Sequence, residues 1–140
     1  MYAIIAGCGR VGSRVARHLV AEGHQVVVID DDPGSFRLLG DDFSGQCVVG
    51  AAINWETLRD AGIEGADAFA SVTGGDNTNI VCALIASRAF EVPCSVARVY
   101  DPNRARVFSR LGLRTVCPTD EAETTMLDLI RSCPAADAKD

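Results

Sequence analysis

Hydrophobic residues fall along this chain in two alternating patterns. Short runs rich in β-branched residues, almost uniformly apolar, alternate with stretches whose apolar positions recur at helical spacing. The runs are 2–6, 25–30, 46–49, 67–72, 94–99 and 114–117, and their uniform apolarity predicts strands buried on both faces. In the first intervening stretch Val11, Val15 and Leu19 fall at i, i+4 and i+8, which predicts the inward stripe of a helix stopped at Gly23. A second helix is expected after Asp32-Pro33, and a third over 54–61 with Asn54 as its cap. A fourth spans about 76–90 with Ile80, Leu84 and Ile85 inward, and a fifth runs from Asp101-Pro102 to Leu111-Gly112. The last covers about 120–132, with Met126, Leu127 and Ile130 on one side. Two destinations for that side stay open, a sister subunit or the chain's own sheet. Six strands and six helices in this order predict a Rossmann-like α/β fold, a doubly wound parallel sheet with helices on both faces.

At 140 residues the chain has the size of one domain, without internal repeats or a low-complexity linker. The expected division is a nucleotide-binding domain over 1–118, a terminal helix over 119–133 and a flexible tail over 134–140. Apolar runs such as Val26–Ile29 stop far short of the roughly 20 residues a membrane helix needs. Met1 opens directly into strand-like sequence without a charged-then-apolar leader. A soluble cytosolic protein without direct membrane insertion is expected.

Net charge is −6, from 13 basic and 19 acidic residues. The twelve arginines are scattered and the one lysine is Lys139, so no concentrated basic face for nucleic acid is expected. None of the six cysteines is spaced as C-x-x-C. Cys47, Cys82, Cys94 and Cys117 lie in apolar segments, where cysteine acts as a small hydrophobe. Neither His18 nor His24 completes a ligand set, and no metal site is expected.

The chemistry concentrates in Gly7-Cys8-Gly9-Arg10-Val11-Gly12, a G-x-G-x-x-G between the first strand and the first helix. In that context Gly7 makes the tight turn and Gly9 lets the backbone approach a diphosphate. Gly12 allows the helix to pack closely, and the helix's positive end holds the phosphates. Asp30 closes the second strand, 18 residues past Gly12, where a carboxylate binds ribose hydroxyls and repels a 2′-phosphate. Asp31 and Asp32 deepen the negative field, so NAD(H), ATP or ADP is expected and NADP(H) disfavoured. Asp32 before Pro33 reads as a helix cap, and the Cys8 side chain as a space filler.

The fourth strand ends in Thr73-Gly74, which the doubly wound rule places across from Gly7–Gly9. Thr73 or Asn77 is expected to bind the second half of a dinucleotide, although Asp76 and Asn77 also suit helix capping. Arg98 sits in the otherwise apolar strand Val96-Ala97-Arg98-Val99 and calls for an anionic ligand or a carboxylate. A hydride-transfer enzyme needs further structure to bring a general acid or base to the nicotinamide. Here the second half of the chain is consumed in completing the sheet. The expectation is a nucleotide sensor and no enzyme. Two other readings stand beside it, an oxidoreductase fragment and an assembly scaffold that binds no nucleotide.

Five segments together resemble the RCK, or KTN, domain of bacterial potassium-transport regulators, of the TrkA amino-terminal type. They are Gly7–Gly12, Gly23–Asp30, Leu58–Asp67, Thr73–Asn79 and Ala97–Pro102, and the resemblance runs from Ile4 to about Pro118. It implies a cytosolic regulatory subunit that binds NAD(H) or ATP/ADP. It implies a homodimer or higher ring, held by an integral membrane potassium transporter at the inner face of the plasma membrane, whose gating it changes. Arg10, after the second glycine, and Arg98 are implied as phosphate contacts. Two departures stand out. The family shows Gly-Asp after the third strand, with the acid near the adenine; here Gly50-Ala51-Ala52 puts Ala51 and Ala52 at the base and relaxes its recognition. Cys117-Pro118-Thr119 lacks the glutamate some members use for a cation, so no cation is implied. The carboxy-terminal RCK subdomain of many relatives has no counterpart in this sequence, and its ligands are not carried over.

Overall fold

In a computed structural model of the chain, which describes residues 1–136, the expected strands are Tyr2–Ala6 (β1), Gln25–Asp30 (β2), Gln46–Val49 (β3), Ala68–Ser71 (β4), Cys94–Arg98 (β5) and Arg114–Val116 (β6). Strands β1 and β2 are buried on both faces, whereas the edge strands β3 and β6 bury no residue, which corrects the expectation for them because each has a neighbour on one side only. The end of the expected tail, 137–140, lies outside the described residues. All neighbours are parallel, in the order β3-β2-β1-β4-β5-β6. Ile4, Ala6, Val27 and Ile29 face one side and pack with Leu58, Ile63 and Phe69. Ile5, Val26 and Val28, one residue out of phase, face the other side with Ala16 and Leu39. A third cluster under β5 joins Ala97 and Val99 to Ile80, Ala105 and Leu113. Each fully buried Ile, Val, Leu or Phe contributes roughly 1.5–3 kcal/mol. Asp67, Val72 and Val99, expected within strands, lie just outside them but still donate main-chain bonds to Tyr2, Ala6 and Val116 at 2.8, 2.8 and 2.9 Å.

The helices are Arg10–Ala21 (α1), Trp55–Asp60 (α2), Asp76–Leu84 (α3), Pro102–Arg110 (α4) and Pro118–Ser132 (α5). Asn54 caps α2 by accepting from Glu56 N at 2.9 Å, and Asp101 caps α4 by accepting from Asn103 N at 2.9 Å. The second expected helix is a 3-10 helix over Pro33–Leu39, capped by Asp32, whose Oδ1 accepts from Gly34 N at 2.9 Å. The fourth continues past Leu84 as a π-helical turn over Ile85–Ala89. The last begins two residues before the expected start, with Pro118 at its first position.

Two further expectations are corrected, and one of two open alternatives is removed. Val11 and Val15 are 45% and 38% exposed, and α1 buries Gly12, Ser13 and Ala16 instead. The cause is the turn before it. A Cβ on Gly12 would lie 1.9 Å from the Gly7 carbonyl oxygen, so the small-residue face must meet the sheet and the branched stripe turns outward. Cys47 is exposed on the edge strand β3, not a core residue. Finally, α5 has no buried residue, with Met126 and Ile130 more than 60% exposed, so its apolar side does not pack on the chain's own sheet.

Gly12→Ala is expected to cost about 3 kcal/mol or more, because backbone and not a mobile side chain meets the new methyl. Val15→Ser is expected to stay within about 0.5 kcal/mol of the parent. Urea unfolding of the two variants checks both, and a large loss for Val15→Ser would restore the branched stripe as the buried face.

Candidate functional site

Strand register brings the chemistry-bearing residues to one edge. Ala6 pairs with Ile29 on one side and Ser71 on the other, so the residues after β1, β2 and β4 leave the sheet side by side. At this reversal of strand order lies a cavity of about 670 Å³, within the range of small-molecule sites. Of the residues singled out in the sequence, Gly7, Cys8, Gly9, Asp30, Ala51, Ala52, Thr73, Gly74 and Arg98 line it. Gly12 is buried beneath it, while the Arg10, Val11 and Asn77 side chains are exposed and form no part of its wall. Thr78, one residue on, lines it in place of Asn77.

Gly7 makes the turn with φ of +107°, and a Cβ there would sit 2.8 Å from the Val72 carbonyl group. Its N–H donates to Ile29 O at 2.8 Å, and Cys8 N donates to Asp30 Oδ2 at 2.8 Å. These two amides are therefore spent within the protein. The free donors begin further on. Gly9 is the N-cap of α1 and has no side chain to accept from the first turn, and no acidic residue lies there. The first main-chain bond into the helix runs from Ser13 N to Gly9 O at 3.0 Å, which leaves the amides of Arg10, Val11 and Gly12 without helical acceptors. Uncompensated donors at a helix start favour an anion.

The Asp30 carboxylate is held from two sides, with Oδ1 accepting from Asp32 N at 2.9 Å and Oδ2 from Cys8 N. Cys8 is 1% exposed and its Sγ lies 3.4 Å from Ser35 O. Burial, and then the negative charge of Asp30, push its thiol up to about 11, so it is protonated at neutral pH and serves as filler.

Across the crevice a fully buried Asn79 organises the loop after β4. Its Oδ1 accepts from Thr73 N at 2.8 Å and Thr73 Oγ1 at 2.6 Å, and its Nδ2 donates to Thr73 O at 3.1 Å and Arg98 O at 3.0 Å. Asp76 ties in the next loop by accepting from Tyr100 N at 2.8 Å and Asp101 N at 3.0 Å. Sequence reasoning had assigned Asn79 no role. Its signal was a polar residue on the inward face of α3 beside Ile80 and Ala83. Arg98 meets no carboxylate among the described residues. Its Nη2 donates to Val72 O at 3.2 Å and Thr73 O at 3.0 Å, its guanidinium lies 4.9 Å from the Tyr100 ring centre, and its buried Nε has no partner. Carbonyls and a ring position the cation without neutralising it. Of the two expected partners, a carboxylate does not reach it among the described residues.

The TrkA-N domain profile matches residues 3–119. The chain belongs to the TrkA-N domain family. The Trk system potassium uptake protein TrkA of Streptomyces coelicolor is 53% identical over 116 residues, 83% of this chain and 52% of that protein. A TrkA homolog of Pyrococcus abyssi is 36% identical over 111 residues, 79% of this chain and 49% of its own length. The chain thus spans about half the length of these curated relatives. Among solved structures, the TrkA-N domain of inner membrane protein ybaL from Escherichia coli superposes with a TM-score of 0.81 at 24% identity, covering 92% of this chain and 96% of that one. The Shewanella denitrificans Kef CTD in AMP-bound form gives 0.76 at 23%, covering 96% and 84%. The GsuK channel bound to NAD gives 0.68 at 20%, covering 84% and 21%. These likenesses show the fold.

Asn79→Ala is expected to destabilise by roughly 3 kcal/mol or more, since it strips partners from both loops at once; calorimetric melting measures it. For Cys8, the thiolate fraction grows about tenfold per pH unit below its raised pKa. Maleimide labelling at pH 7 is therefore expected to modify the exposed Cys47 and Cys133 first and Cys8 last, with Cys8 catching up as pH approaches 10. Early labelling of Cys8 at pH 7 would contradict its assignment as filler.

Proposed function

We propose that this chain is the nucleotide-sensing domain of a regulatory subunit in a Trk/Ktr-type potassium uptake system, with NAD(H) or ADP/ATP as its ligand. The observation that carries this reading is that Gly9, the N-cap of a helix whose first amides lack helical acceptors, shares one cavity wall with the carboxylate of Asp30. The amides suit a diphosphate and the carboxylate suits the two hydroxyls of a ribose. Arg98, charged and unneutralised on the opposite wall, suits the phosphate or second half of the ligand. Asp31 and Asp32 beside Asp30 disfavour the 2′-phosphate of NADP(H). The names of the relatives, Trk system potassium uptake proteins, and the AMP and NAD in the Kef and GsuK structures support the same assignment.

The reading is a sensor and not a catalyst. The second half of the chain supplies β4 to β6 and the loops that close the cavity, and the one thiol on its wall is held protonated. Residues 1–118 act as the sensing domain and α5 as the element that joins it to a sister chain, through Met126, Leu127, Leu129 and Ile130. In this reading the chain reaches the transporter from the cytosolic face as a peripheral subunit; no helix among the described residues is long and apolar enough to cross a membrane. Regulation is a population shift. A ligand that binds one arrangement of paired domains better by about 1–3 kcal/mol changes the transporter's gating by that much and no more.

Titration calorimetry with NADH and NADPH tests the site. Asp30→Ala is expected to weaken NADH about tenfold while changing NADPH much less, because only NADH loses the ribose contact. Equal losses would remove the ribose role. Light scattering at high protein concentration tests the pairing; a strictly monomeric chain would remove the proposed mechanism.

A further inference from the structure

We infer that Tyr100 is a positioning residue of this site: its ring face holds the Arg98 guanidinium ready for an anionic ligand and leaves the charge uncancelled. The inference rests on the nucleotide reading above. Arg98 ends β5 and Tyr100 follows two residues on, with the guanidinium carbon 4.9 Å from the ring centre. A ring face attracts a cation out to about 6 Å.

The ring has no other recorded partner among the described residues. Tyr100 is 45% exposed and belongs to none of the three apolar clusters, and its hydrogen bonds all run through its main chain. It does not line the cavity, so it acts on a ligand only through Arg98, which does. The ring is nevertheless fixed in place. Tyr100 N donates to Asp76 Oδ1 at 2.8 Å, and Tyr100 O accepts from Thr119 Oγ1 at 2.7 Å. A backbone pinned from both sides aims the ring at one spot.

The two acids that adjoin this segment are turned elsewhere. Both Asp76 oxygens accept from main-chain amides, those of Tyr100 and Asp101. Asp101 Oδ1 accepts from Asn103 N at 2.9 Å, and its Oδ2 faces Arg104 Nε at 3.8 Å. A carboxylate against Arg98 would fix the guanidinium and neutralise it as well. A ring fixes it and carries no net charge, so a ligand phosphate meets a cation that is ordered and still whole. Holding the side chain before the ligand arrives removes part of the entropy cost of ordering it on binding.

Calorimetric titration of the whole chain with NADH and with ATP tests this, and the tighter of the two is carried through the variants. These are Tyr100→Phe, Tyr100→Leu, Arg98→Gln and the double variant Tyr100→Leu/Arg98→Gln. Tyr100→Phe keeps the ring and is expected to bind as the parent does. Tyr100→Leu keeps only bulk and is expected to weaken binding about fivefold, the scale of one partly exposed cation–ring contact. In the Arg98→Gln background the same change is expected to cost nothing more, because the cation it acts through is gone. A loss in Tyr100→Phe equal to that in Tyr100→Leu overturns the inference, and so do single losses that simply add in the double variant. Unaltered affinity in Arg98→Gln or in Tyr100→Leu overturns it too and leaves the nucleotide reading standing. If neither ligand binds the parent, that reading fails and takes this inference with it. A second measurement depends on no variant. In the NMR spectrum of the ligand-free parent the Arg98 side-chain protons are expected upfield of those of other arginines, shifted by the ring, and unshifted resonances would overturn the contact.

Discussion

The close approach of α1 to the turn after β1 constrains the rest of the molecule. Gly12 sits against the carbonyl of Gly7, with no room for a methyl group between them. That contact seats the start of the helix directly after Gly9 on the cavity wall, with its first amides free of helical acceptors. It also forces the small residues Ser13 and Ala16 against the sheet and turns Val11 and Val15 to the surface. One steric requirement therefore sets both the ligand end of the helix and the orientation of its whole length.

The sheet was legible in the sequence because strands buried on both faces leave a signal that needs no phase, a run of almost entirely apolar residues, strongest in β1 and β2. The six runs, their order and the crossover beside β1 followed from that. The phase of α1 was not legible. Its branched stripe has the right helical period, but the glycine contact outweighs it, and a contact between two backbones leaves no mark in hydrophobicity. The same limit applies at the site. Asp30 and the glycine turn have fixed spacing, whereas Asn79 acts through four hydrogen bonds to groups from two segments and has no spacing to recognise. Arg98 was found as a charge out of place, but its partners, two carbonyls and a ring, were not foreseeable from residue types.

These polar contacts form a continuous path. Arg98 touches the loop after β4 and the Tyr100 ring; Asp76 holds the amides of Tyr100 and Asp101. Tyr100 O in turn accepts from Thr119 Oγ1 at 2.7 Å, in the first turn of α5. The wall of the cavity and the root of the outermost helix thus share one short segment, 98–101.

Helix α5 itself is 15 residues long and buries none of them. At that length a helix without tertiary support is marginal in water, because each turn gained offsets little more than the entropy of fixing it. Pro118 at the start and the anchoring of Thr119 suppress fraying at one end only. Beyond that root the segment has no packing within the chain to support it, so a cover on its apolar side adds directly to the stability of its turns.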